Sequence, residues 1–148
     1  MTLIILEIDK NIIDPLSLQI SFRDNLVDFL DEIIDRIPTE EELIFLRMLV
    51  QQAPVSDLLG RFMRDILPFE QEILQKKDSF FKERNFLYLI DNDLASKAEK
   101  ISHLQNLWKR DDILTEEDRE TIWEWLRAFI VLGNKYKSKF GFISGWES

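Results

Sequence analysis

"LTEEDRETIWEWLRAFIVL", residues 114–132, is the stretch whose reading decides the fold. Thr115 and Asp118 stand three residues apart, the spacing of a capping box, with Asp where Glu or Gln is usual. A helix is expected from there to about Tyr136. On a wheel of about 100° per residue with Ile122 at zero, Leu126, Phe129, Ile130 and Gly133 fall near its line. Trp123 lies about 100° to one side and Trp125 about 60° to the other, so the two indoles are about 160° apart. Glu120, Glu124, Arg127 and Lys135 take the remaining side. With Leu132 and Tyr136 the apolar arc is about 180° wide, whereas a surface helix needs little more than about 100°. Such a helix is either central in a bundle, with each tryptophan against a different neighbour, or it turns one edge to a partner.

Working back towards the N-terminus, Leu26, Phe29, Leu30, Ile33, Ile34 and Ile37 form a helical apolar stripe, with Asp24, Asp28, Asp31, Glu32 and Asp35 opposite. Pro38 ends that helix, and Thr39 with Glu42 has the form of a capping box for the next. Leu43, Leu46, Met48, Leu49 and Val50 carry it to about Gln52. Pro54 and Ser56 open a shorter helix. "PFEQEILQKKDSFF" reads as another, with Pro68 at its start and Lys76 and Lys77 at its negative end. Residues 86–90 suit a strand or a buried helical turn equally. Residues 96–108 read as a helix with Ala98, Ile101, Leu104, Leu107 and Trp108 on one side. At the N-terminus residues 2–8, with Leu3, Ile4, Ile5, Leu6 and Ile8, suit a strand, and "LSLQISF" (16–22) alternates apolar with polar. Residues 1–22 therefore have the pattern of a strand or small hairpin. The fold expected is mainly α: a single helical domain over 1–148, a bundle of five to seven helices, with room for that hairpin in front. Residues 137–148, with two glycines, read as a flexible or partner-bound tail.

Composition narrows the function. The 148 residues include no cysteine, which rules out disulfides, thiolate catalysis and Cys-based zinc sites and fits a reducing compartment. No run of about 18 apolar residues is present to span a membrane, and the N-terminus lacks the plan of a signal peptide. The expected location is cytoplasmic or within a virion. Eleven phenylalanines demand burial in a core or against a partner. The net charge is −9, and residues 1–60 carry twelve acids against four bases. That half repels phosphates and suits a basic protein surface.

Few residues carry chemistry. His103 is the one histidine, with Glu99 a turn before it, and a single histidine makes neither an H-E-x-x-H helix nor a His-rich metal site. Asp91 and Asp93 are the candidate metal ligands, two oxygens on one loop. An EF-hand counted from Asp91 would need Gly and Glu where Ser96 and Ser102 stand. There is no P-loop, dinucleotide fingerprint or nucleophile elbow. No residue pattern asks for a cofactor. Lys135, Lys137 and Lys139 near Phe140 are the candidate nucleic-acid contacts, against which the overall acidity argues.

"ILPFEQEILQKKDSFF" followed by "LQNLWKRDDILTEEDRETIWEWLRAFIVLGNKY" resembles small uncharacterised helical proteins of nucleocytoplasmic large DNA viruses. The matching positions are Pro68, Phe69, Ile73, Asp78, Phe80, Phe81, Leu107, Trp108, Ile122, Trp123 and Leu126, within residues 62–136. Residues 1–60 carry no part of the pattern. The resemblance implies a viral provenance and a shared helical core, and it supplies no catalytic residue. The function expected is a non-enzymatic viral interaction protein, a minor virion component or an intracellular adaptor, binding itself or a virion protein. The candidate partner-binding residues are Trp123, Trp125, Phe140, Phe142 and Trp146. The alternatives are a metal-dependent enzyme using Asp91 and Asp93, and a nucleic-acid-associated factor using the C-terminal lysines.

Overall fold

Asp14 and Pro15 set the first helix. The Asp14 carboxylate accepts from the Ser17 backbone N–H at 2.8 Å and its hydroxyl at 3.0 Å, and Pro15 occupies the first turn, where its missing N–H costs nothing. The computed structural model describes residues 14–83, 106–143, 145 and 146. Among the described residues the elements are, in chain order, α1 (Pro15–Arg36), α2 (Glu41–Gln52), α3 (Val55–Asp65), a 3-10 turn (Leu67–Phe69), α4 (Glu70–Leu74), α5 (Ser79–Glu83) and α6 (Glu116–Phe140), and residues 106 and 107 are also helical. The protein is mainly helical, as the spacing predicts, and no strand occurs among the described residues.

The hairpin expectation is corrected at residues 16–22, which are the first two turns of α1. Leu18 and Phe22, which a strand would also place on one face, stand four apart and are buried in the helix, while Leu16 and Ile20 face outwards. Period-two alternation over seven residues contains the i, i+4 pair of a helix, and the Asp14–Pro15 cap decides between them. Residues 2–8 lie outside the described residues, as do residues 86–90.

Three boundaries and one side-chain orientation differ from the expectation. Thr39 does not cap α2: Glu40 is the N-cap, without a side-chain cap bond, because Pro38 and Thr39 form a turn whose Glu40 N–H donates to the Ile37 carbonyl. Met48 points out of α2 at 51% exposure, and Leu43, Leu46 and Val50 form its core face. The 68–81 segment is not one helix. It breaks after Leu74 in a Schellman turn, with Lys77 N–H donating to the Glu72 carbonyl, Lys76 N–H to that of Ile73, and Lys76 left-handed at φ 55°. Finally, α6 continues one turn past Tyr136 to Phe140, where Gly141 at φ 76° ends it.

Helix α1 runs antiparallel to α6, and residue pairs mark the whole overlap. Gln19 donates to the Tyr136 hydroxyl at 3.1 Å. Phe22 meets Phe129 at 5.4 Å between ring centres, and Phe29 meets Trp125 at 5.6 Å. Arg36 donates to Asp118 at 2.9 Å. Helix α3 lies against both, with Phe62 touching Phe22 (5.1 Å) and Phe129 (6.3 Å). Its residues Leu58–Met63 are all buried, as in a helix clad on every side. At Gly133 the α3–α6 approach is so close that a methyl group would sit 3.0 Å from Phe62.

Thr115 and Asp118 form the capping box with both halves present (3.0 and 3.1 Å). Burial works to raise the Asp118 carboxyl, and the hydrogen bonds from Thr115 and Arg36 outweigh it, so the group sits below the usual carboxylate range. A depressed folded value gives stability that is complete above the unfolded pKa and is lost as pH falls through the folded one. Asp118→Ala is therefore expected to cost about 1–2 kcal/mol at neutral pH. In urea melts against pH, the gap to the native chain closes below about pH 4. Lys76→Gly relieves the left-handed backbone and is expected to stabilise by about 0.5–1 kcal/mol, less the small loss of the exposed Lys76–Glu120 pair, in the same melts.

Candidate functional site

The two tryptophans that stand two apart in α6 are both core residues. Trp123 is 4% and Trp125 6% exposed. Each packs against a different neighbour, as the wheel predicts. Trp125 lies against Phe29 of α1, stacks on Phe129 at 5.8 Å, and donates its indole N–H to Glu32. Glu32 thus turns inward from the acidic side of α1. Trp123 faces the opposite way, 4.9 Å from Phe81 and 5.4 Å from Trp108, which stack on each other at 3.9 Å.

A polar cleft lies outside Trp108 and Trp123. The Trp108 indole donates to Asp78 at 3.0 Å, and its carbonyl accepts two bonds from the Arg119 guanidinium. Arg119 also reaches Asp111 and Glu116, and Lys76 pairs with Glu120. In the turn before α6, Arg110 grips Asp112 with two bonds. These charges serve one another, which makes the cleft a brace for the approach to α6.

The tail folds back on the chain. Ile143 is buried, and the Trp146 N–H donates to its carbonyl at 2.9 Å, with Gly145 at φ 90°. The Trp146 ring sits over the face of α3 at Gly60, where a methyl group would stand 2.4 Å from it. The Arg61 and Arg64 guanidiniums lie 4.9 and 4.6 Å from the same ring. Phe142 lies beneath Lys137 at 5.1 Å. Phe140 is exposed and touches Tyr136 at 5.2 Å. Of the five sequence candidates, then, Trp123 and Trp125 lie in the core, Trp146 docks on α3, Phe142 is half-buried against the core, and Phe140 faces outwards. Asp91, Asp93, Glu99 and His103 lie outside the described residues. Among the described residues no group of His, Asp and Glu gathers to hold a metal ion, and no helix is long and apolar enough to cross a membrane.

A further surface lies on α1 and α2. Asp24, Asp28, Asp31 and Asp35 succeed one another at four, three and four residues, which draws one acidic ridge along α1. Arg47 of α2 donates to Asp31 and to Gln51, which fixes that side of α2 beside the ridge. Ile44 stands one turn before Arg47 and Met48 directly after it, 44% and 51% exposed. Asp28 and Asp35 have no ion pair among the described residues. The sequence signal for this site was the apolar excess of "LIFLRMLV", more than one face of α2 can bury. Compared with known protein families, curated proteins and solved structures, the chain matches none.

Gly60→Ala adds helix propensity to α3 but places a methyl in the seat of Trp146. With 5-fluorotryptophan at all four tryptophans, the ¹⁹F resonance of Trp146 is expected to move towards its solvent-exposed position and to gain solvent accessibility when Gly60 is alanine, while the other three stay in place.

Proposed function

We propose that this chain is a non-enzymatic interaction protein of a large DNA virus, a minor virion component or an intracellular adaptor. It takes a basic, amphipathic protein segment on the face shared by α1 and α2. The observation that carries the reading is the exposed pair Ile44 and Met48 beside an acidic ridge that its own bases leave partly unpaired. Apolar side chains rimmed by acids match a segment with apolar residues on one face and lysine or arginine on the flanks. Arg23, Arg36 and Arg47, the bases of α1 and α2, are engaged with Asp24, with Asp118 and with Asp31. The negative potential of this half is thus available to steer a cationic partner.

The test is affinity purification from infected cells and from virions, using the native chain and the double reversal Asp28→Lys with Asp35→Lys. Both carboxylates are exposed, so the reversal is expected to leave the circular dichroism unchanged. A partner recovered at least about tenfold less with the reversed chain, and released by salt, supports the reading. Equal recovery by both chains overturns it. Recovery from virions or from cells then separates the component from the adaptor.

A further inference from the structure

The described helices leave a space between them. A cavity of about 140 Å³ lies between α1, α2, α3 and α6, with Leu30, Leu46, Leu58, Phe62, Ile122 and Leu126 among its walls. Every described residue that lines it is apolar. The one polar side-chain group among them, the Trp108 indole N–H, is already donated to Asp78. Protein interiors pack as tightly as organic crystals, and voids larger than a water are few. A water inside a cavity needs two to four polar partners, and the described walls offer none. Apolar cavities of this size stay dry and take molecules of about the size of benzene.

The geometry points to a binding site for an uncharged hydrocarbon group of roughly six carbons, either a small apolar molecule or the methyl end of an acyl chain. The two sources share one chemistry: dispersion contact with leucine, isoleucine and phenylalanine side chains, and no hydrogen bond. A ligand there restores the contacts that the walls lack. The site lies between the helices and is partly open to the outside, is distinct from the acidic face on α1 and α2, and does not depend on that face binding a partner.

The full chain, labelled at its Ile, Leu and Val methyl groups, is titrated with toluene and n-hexane, and separately placed under xenon. Methyl shifts concentrated at Leu30, Leu46, Leu58, Ile122 and Leu126, with a rise in Tm of a few degrees at saturation, are expected. Ile122→Phe or Leu46→Phe, each of which fills part of the void, is expected to abolish the shifts. Because either variant can fail to fold, the native chain decides by itself. No methyl shift with toluene and none with xenon overturns the site. A competition with decanoate distinguishes the sources: displacement of hexane identifies an acyl chain, and binding of hexane undisturbed by decanoate identifies a small free hydrocarbon.

Discussion

Helix α6 has apolar side chains on both flanks, and the rest of the molecule is arranged to cover them. One flank is closed by α1, where Phe29 meets the Trp125 ring and Glu32 accepts its indole N–H. A buried indole donor without a partner costs about 1–3 kcal/mol, so the inward turn of an otherwise surface-facing glutamate has a physical reason. The other flank is closed by Phe81 and Trp108, whose stacked rings take the edge of Trp123. Aromatic contacts of this kind add about 0.5–1.5 kcal/mol beyond the area they bury. Two neighbours on opposite sides fix the rotation of α6 about its own axis. Its polar edge, with Glu120, Glu124 and Arg127, is then set outward.

With α6 so held, the charges divide by position. At one end of the antiparallel pair Arg36 joins α1 to the capping carboxylate of α6, and at the other Gln19 joins it to Tyr136. A bidentate or shared contact such as that of Asp118 serves three tasks at once: it caps a helix, favours the positive helix start, and ties two elements. The acids not used in this way lie along the outside of α1. Their spacing along α1 aligns the four aspartates in one ridge, and the seating of the opposite face of α1 on α6 turns that ridge outward.

How much of this the sequence showed depends on how local the deciding contact is. The Thr115–Asp118 box closes within one turn and was legible, as was the double-sided burial of α6, because a wheel records angles along one helix. Asp14–Pro15 was also local, but the alternation of residues 16–22 satisfied two periods at once and hid it. Thr39 looked like a cap by spacing alone, while the turn after Pro38 moved the helix start on by one residue. Contacts between distant segments left no such trace. Glu32 is indistinguishable from its acidic neighbours until Trp125, 93 residues on, is brought beside it. Gly60 is an unremarked helix interior glycine until Trp146 lies across it.

The central void belongs to the same class of non-local fact, and the aromatic residues explain why it persists. A hole left among leucines closes partly as flexible side chains and backbone shift inward, which is why the cost of a cavity varies so widely from site to site. Here Phe22, Phe62 and Phe129 form one wall of mutually packed rings, and Phe81 with Trp108 lies against the opposite part. Each ring is held by its neighbours, with two torsions and little freedom to advance. The clamps on both flanks of α6 hold these walls in place. The same stiffness preorganises the space for an occupant, since nothing must be pushed aside before a hydrocarbon can enter the contacts that the walls leave unmade.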